Sequence, residues 1–218
     1  MAKDFAIVLN NGGVNSAVTT AVAAQRYRPI MVFAETARGI GGRLRAAFDQ
    51  QVAHFKPYRE HTVALPQLAS PQAATAATAN LDPRLAAPLS PRLLDLLPLI
   101  SIAVRLAVQH DAVAIYLGMR VGPGADDLAQ ATEYFQIWNE LLEMPCGQSD
   151  LEIHTPVLEL EPWQVVDVGF NVAAPLERTW SCQEAGSDPC WICTGCRARE
   201  AAFQQAAKLD PLRAPRRV

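Results

Sequence analysis

Four cysteines crowd into one short stretch: Cys182, Cys190, Cys193 and Cys196, separated by seven, two and two residues. Four deprotonated sulfurs at about 2.3 Å suit a tetrahedral Zn²⁺ ion. A Cys-x2-Cys turn sets two thiolates on one side of an ion, and the other two cysteines close the cage. Gly186 and Gly195 provide for tight turns within it. With all four ligands drawn from the chain such a site is closed, so its metal is structural. The spacing favours zinc over unliganded thiols or an iron–sulfur cluster. The fifth cysteine, Cys146, stands apart and reads as a packed or surface thiol.

A second constellation lies at the other end, in Val8-Leu9-Asn10-Asn11-Gly12-Gly13-Val14-Asn15-Ser16. The apolar run Phe5 to Leu9 predicts a buried parallel strand, and Ser16 to Tyr27 predicts a helix. Two adjacent glycines between them permit a sharp turn. Backbone amides and the helix dipole then converge on one point, which suits an anion. An ordinary strand-to-helix turn with two glycines would read the same way. Placement after the first strand and before the first helix favours the anion site.

The elements needed to position these groups follow in alternation. Pro29–Ala34 reads as strand two, Gly39–Gly42 as a turn, and Arg43–Phe55 as a helix with Leu44, Ala47, Phe48, Gln51 and Phe55 on one stripe. His61–Leu65 is strand three. Pro66 to Pro91 is rich in Ala, Pro, Ser and Thr and reads as a loop or flap. Pro91–His110 is a helix apolar around most of its surface, hence buried, with a kink expected at Pro98. Ala112–Leu117 is strand four, ended by Gly118. Met119 to Asp127 is a loop at its carboxyl end, where ligands sit in open α/β sheets. A helix over Leu128–Leu142, strand five over Leu151–Pro156 and a helix over Pro162–Phe170 complete the series. The expected fold is α/β: a doubly wound, mostly parallel five-stranded sheet. Residues 1–178 are expected to form the α/β domain that carries the glycine loop, and residues 179–218 a small zinc-binding module with a helix. No internal repeat is visible.

Composition narrows the function. The chain has 218 residues, half of them hydrophobic, enough for one domain with a sizeable core and a small appendage. A net charge of −3 argues against a nucleic-acid surface, and the basic run Arg213 to Arg217 reads as a solvated tail. No apolar run reaches about 18 residues and Met1-Ala2-Lys3-Asp4 lacks signal-peptide architecture, so a cytoplasmic protein is expected. Only Lys3, Lys56 and Lys208 offer a lysine amine. His54, His61, His110 and His154 are scattered without ligand spacing, and His110 suits a helix C-terminus. Trp138, Trp163, Trp180 and Trp191 read as core or interface residues.

Asn11-Gly12-Gly13-Val14-Asn15-Ser16 resembles the pyrophosphate loop of the PP-loop ATP-pyrophosphatases, Ser-Gly-Gly-x-Asp-Ser. Asn11 replaces the first Ser and can still hydrogen-bond a phosphate oxygen. Asn15 keeps the shape of Asp without its charge, which makes it a poorer partner for Mg²⁺. Thr179-Trp180-Ser181-Cys182, Cys190-Trp191-Ile192-Cys193-Thr194-Gly195-Cys196-Arg197-Ala198-Arg199, Ala202-Phe203 and Asp210-Pro211 resemble the tail of 7-cyano-7-deazaguanine synthases. Ser101-Ile102-Ala103, Tyr116-Leu117-Gly118 and Thr155-Pro156-Val157-Leu158 stand in the matching order, so the resemblance spans essentially the whole chain.

That resemblance implies an adenine nucleotide alpha hydrolase-like fold, structural zinc and a homodimer. It also implies ATP-dependent conversion of 7-carboxy-7-deazaguanine and ammonia to the nitrile, through an adenylated carboxylate, with ATP and Mg²⁺ as substrate. Asn11, Gly12, Gly13, Asn15 and Ser16 would hold phosphates. Arg120 would hold a carboxylate, and Asp126 or Asp127 would replace missing metal or substrate contacts unless they are solvated loop charges. No catalytic side chain is assigned. Three departures stand out. The family's Pro-x-Arg-Asn aligns with Leu94-Asp95-Leu96-Leu97, with Arg92 about a turn earlier. Its Tyr-Pro-Asp-Cys run is missing from 119–127. Its Thr-Lys becomes Glu161-Pro162. They motivate an alternative: a diverged, non-adenylating homologue that binds a nucleotide or deazapurine, or serves as a partner subunit in a modification or defence system. A transfer-RNA-thiolating PP-loop enzyme fits less well, because the chain is mildly acidic and its clustered cysteines belong to a metal cage.

Overall fold

Along Phe5–Leu9 (β1), successive side chains enter opposite layers, and that alternation repeats in every central strand. The computed structural model describes residues 4–36, 41–68, 90–146, 151–184 and 186–213. The elements are β1, α1 (Val14–Arg26), β2 (Arg28–Glu35), α2 (Gly41–Phe55), β3 (Arg59–Ala64), α3 (Ser90–Gln109), β4 (Ala112–Leu117), α4 (Ala125–Cys146), β5 (Glu152–His154), α5 (Pro162–Asn171) and α6 (Thr194–Gln205). The strands lie in the order β3-β2-β1-β4-β5, every pair parallel. Ile7 pairs with Ile30 on one side and Ile115 on the other.

Each sheet face has its own core. Ile7, Ile30, Val32, Ile115 and Leu117 pack beneath Ile100, Ala103 and Ala107 of α3 and Ala131, Phe135 and Leu142 of α4. The alternate residues Ala6, Val8, Ala114 and Tyr116 meet Ala23 of α1. Met31 and Phe33 meet Phe48 of α2. Helices on both faces of a parallel sheet are the doubly wound arrangement expected from the strand–helix alternation. A further cluster joins Val18 of α1, Val165 and Val166 of α5, Leu176, and Ala202 and Phe203 of α6. The cysteine-bearing tail is therefore continuous with the sheet domain's packing.

The departures from expectation are local. Helix α4 starts at Ala125, so Asp126 and Asp127 lie in its first turn rather than in a loop. Carboxylates there oppose the positive end of the helix dipole. Gly41 and Gly42 open α2 rather than ending a turn, whereas α3 runs through Pro98 as one helix, as expected. Pro66–Leu68 form one 3-10 turn. The rest of the expected flap up to 89, Gly39-Ile40, the tail beyond Arg213 and the Cys146 side chain lie outside the described residues. Among the described residues no helix is long and apolar enough to cross a membrane.

The histidines are not all scattered. His61 on the edge strand β3 and His110, just past α3, bring their Nε2 atoms to 2.9 Å. One ring must donate and the other accept, so the contact excludes two protonated rings. Burial, then His110, then Arg59 hold His61 below its ordinary value. A folded-state value below the unfolded one means that the unfolded chain binds more protons, so stability falls with pH below about 6.5. Urea denaturation at stepped pH should show this fall between about pH 7 and pH 5.5, flattened in H61N. His154, also lowered by burial, should leave a residual slope. Identical profiles for H61N and the unaltered chain would reject the assignment to this pair.

Candidate functional site

In this strand order the chain leaves β1 towards β2 on one side, and β4 flanks it on the other. Ligands of open α/β sheets lie at such a switch, beyond the carboxyl ends of the strands. A cavity of about 400 Å³ opens there, floored by Leu9, Asn10, Leu117 and Gly118. Asn11, Asn15 and Ser16 line it together with Arg92, Asp95 and Arg120. The structure thus gathers Asn11, Asn15, Ser16 and Arg120 at one place.

The loop is held from beneath by buried amides. Asn10, only 2% exposed, donates from Nδ2 to Thr20 Oγ1 (2.9 Å) and Gln51 Oε1 (2.8 Å), and its Oδ1 accepts the Gly12 N–H (2.8 Å). Gln51, fully buried in α2, donates from Nε2 to the carbonyls of Gly12 (3.1 Å) and Arg178 (3.0 Å). The Trp180 N–H also donates to the Gly12 carbonyl, at 3.0 Å. Gly12 has φ +80°, and a Cβ there would run into the Leu44 carbonyl oxygen. Both facts require glycine.

On the upper side, Asn11 Oδ1 accepts the Gly13 N–H (2.9 Å) and the Ser16 hydroxyl (2.8 Å). Helix α1 begins with Gly13 as N-cap and no side-chain cap. Gly118 lets β4 end against that turn: a Cβ there would stand 2.9 Å from Asn15 C and Ser16 N.

In the same cavity, the Arg92 Nη2 donates to the Arg120 carbonyl at 2.6 Å, and the Arg120 Nη1 to the Leu160 carbonyl at 3.4 Å. Burial, then the Arg120 charge, lower the Arg92 guanidinium below its usual value, and Asp127 opposes them. Asp126 is exposed and lies outside the described lining. A smaller cavity of about 190 Å³ shares Asn15 and Arg120 with the first and continues towards Ser181 and Gly195.

The four sulfurs of Cys182, Cys190, Cys193 and Cys196 lie within 4.8 Å of one another. Cys182 Sγ is 3.5 Å from Cys190 Sγ and 4.0 Å from Cys193 Sγ. A tetrahedron with arms of about 2.3 Å has edges of about 3.8 Å, so the group fits one metal ion. The Gln183 and Cys196 amides donate to Cys193 Sγ at 3.4 Å, and those of Glu184 and Cys190 to Cys182 Sγ at 3.4 Å. The amides of Gln183 and Cys196 draw the Cys193 thiol down to about 6, whereas burial pushes Cys196 up to about 12. A bound cation would hold all four as thiolates. Gly195 abuts the Ser181 carbonyl, which no larger residue could do.

A family model described as queuosine biosynthesis protein QueC matches residues 96–207, just over half of the chain. This chain belongs to the QueC family. It is 28% identical over 216 residues to the 7-cyano-7-deazaguanine synthase of Chloroherpeton thalassium, covering 95% of both chains. The corresponding synthase of Aliarcobacter butzleri is 31% identical over 116 residues, 52% of this chain and 50% of that protein. The U34-tRNA thiolase NcsA from Methanococcus maripaludis, solved with its [4Fe-4S] cluster, superposes with a TM-score of 0.49 at 11% identity, covering 94% of this chain and 68% of that one.

The tail of this QueC-family chain is closed by a group that its sequence motif named without a role. Arg199, 6% exposed, donates from Nε and Nη2 to both Asp210 oxygens (2.6 and 2.8 Å). Its Nη1 reaches Thr179 Oγ1 at 2.6 Å and Nη2 also reaches the Leu176 carbonyl at 3.0 Å. Arg92 was visible only as an arginine one turn from its expected place, and one helical turn preserves the face. Replacing Arg199 by Leu strands the buried Asp210 carboxylate and should cost about 3–5 kcal/mol in urea unfolding. A loss under about 1 kcal/mol would contradict this description of the clamp.

Proposed function

We propose that this chain is an ATP-dependent synthase of the 7-cyano-7-deazaguanine type, acting on 7-carboxy-7-deazaguanine and ammonia. The observation that carries the reading is the crevice at the β1/β4 switch, where Asn11, Asn15 and Ser16, around the uncapped start of α1, line one cavity with Arg92 and Arg120. Family membership supports the same reading. The acid is already ionised at neutral pH, so no base is needed to prepare it. Its oxygen attacks the α-phosphorus of ATP and pyrophosphate leaves. Ammonia then attacks the acyl carbon, loses a proton and expels AMP, giving the amide. A second adenylation, on the amide oxygen, allows loss of AMP and the amide protons to form the nitrile.

Such chemistry asks the protein mainly for position and charge. Asn11 swings away from Gly13 and Ser16 and leaves their N–H and O–H to a phosphate oxygen, while Asn15 donates from its amide. Arg120 lies at the junction of both cavities and meets the acid and the α-phosphate together. The cysteine cage holds structural zinc and supplies no chemistry to the reaction. Its short sulfur separations suit one ion, because sulfurs outside a four-iron cluster stand farther apart. A second copy of the chain pairs through the exposed stripe Ile137, Leu141 and Met144 on α4. A second reading, binding without adenylation, is favoured by the Asn11 oxygen already satisfying Gly13 and Ser16.

AMP should accumulate from ATP when 7-carboxy-7-deazaguanine and ammonia are supplied together. S16A should lower kcat/KM at least about tenfold by removing one phosphate donor. No AMP above a G13D control rejects adenylation, and calorimetric binding without turnover then favours the second reading. Elemental analysis should find one zinc per chain, lost in C196S with a lower Tm. Iron with inorganic sulfide instead of zinc would overturn the metal assignment.

A further inference from the structure

Magnesium is the cation that a pyrophosphate loop implies, and the loop of this crevice offers it no carboxylate. Mg²⁺ demands near-octahedral oxygen donors, usually one or two carboxylates beside the phosphates. Among the described residues lining the cavity, Asp95 is the sole carboxylate, and position 15 in the loop carries a neutral amide. Asp126 is exposed and outside that lining. The charge that the cavity does present is positive. Arg92 and Arg120 line the same cavity as Asn11, Asn15 and Ser16 and are tied together by the hydrogen bond from Arg92 Nη2 to the Arg120 carbonyl. The Arg120 guanidinium is anchored on the Leu160 carbonyl, and the amides of Val121 and Gly122 tie the same turn to the Leu158 carbonyl at 2.7 and 3.0 Å.

Two fixed guanidiniums carry the same total charge as one divalent cation and offer forked donors to phosphate oxygens. We propose that Arg92 and Arg120 take the place of Mg²⁺ in this chain, so that its crevice binds the polyphosphate of a nucleotide free of divalent metal. The proposal rests on reading the crevice as a nucleotide site. It has a consequence opposite to that of a metal-dependent loop. Free Mg²⁺ competes with the arginines for the same phosphate oxygens, so adding it weakens binding.

The test is calorimetry on the full-length, zinc-loaded protein with ATP and, separately, inorganic pyrophosphate, each in EDTA-stripped assay buffer or in millimolar Mg²⁺, after confirming zinc retention. Affinity should be higher without Mg²⁺, and equal affinity in the two buffers would overturn the competition. R92Q and R120Q should each weaken the metal-free binding at least about tenfold, and R92K less than R92Q. Binding that appears only with Mg²⁺ overturns the proposal and leaves the nucleotide reading standing. Undiminished affinity in R92Q and R120Q also overturns it. No binding of either ligand under either condition overturns the nucleotide reading and the proposal together. The comparison of buffers uses the unaltered chain, so a misfolded variant cannot obscure the result.

Discussion

The carbonyl oxygen of Gly12 is the point on which three parts of the molecule converge. It accepts one hydrogen bond from Gln51 in α2 and another from the Trp180 backbone, two residues before the first cysteine of the cage. Gln51 in turn holds Asn10 and the Arg178 carbonyl. The strand end, the second helix and the metal-binding tail therefore share one buried polar network. Every member needs the others, because a buried polar atom left unpaired costs about 1–3 kcal/mol. The network also fixes the backbone of the turn. Gly12 is held at a positive φ by hydrogen bonds to its N–H and its carbonyl, immediately before the start of α1.

Above that network the electrostatics are unusual for a phosphate loop. The loop contributes neutral amides, Asn11 and Asn15, where carboxylate or hydroxyl groups would be expected. The compensating charge comes from elsewhere in the chain: Arg92 at the start of α3 and Arg120 beyond β4. Amide and hydroxyl groups of the loop and guanidiniums from two later segments thus line one cavity.

The sheet was legible because its signals are local. Phe5–Leu9 and Ala112–Leu117 are apolar runs bounded by polar or glycine residues, and both are strands with those limits. The four-cysteine spacing announced its cluster for the same reason. Gln51 was legible in part. Its place on the apolar stripe of α2 was plain from spacing, but its role depends on partners 39 and 127 positions away. The His61–His110 contact and the approach of Arg92 to Arg120 depend likewise on how distant elements dock. No short window carries that information. The start of α4 was misplaced because Gly122, Pro123 and Gly124 read as loop. The acidic pair Asp126-Asp127, typical of a first helical turn, was the available sign of a helix beginning.

Gly118 has a mechanical consequence. The end of β4 touches the Asn15–Ser16 peptide backbone to backbone, with no side chain between them. Such a contact contains no rotamer that could absorb a displacement, so strand and helix must travel as a single rigid jaw. A side chain introduced at position 118 would therefore force the strand end and the first turn of α1 apart.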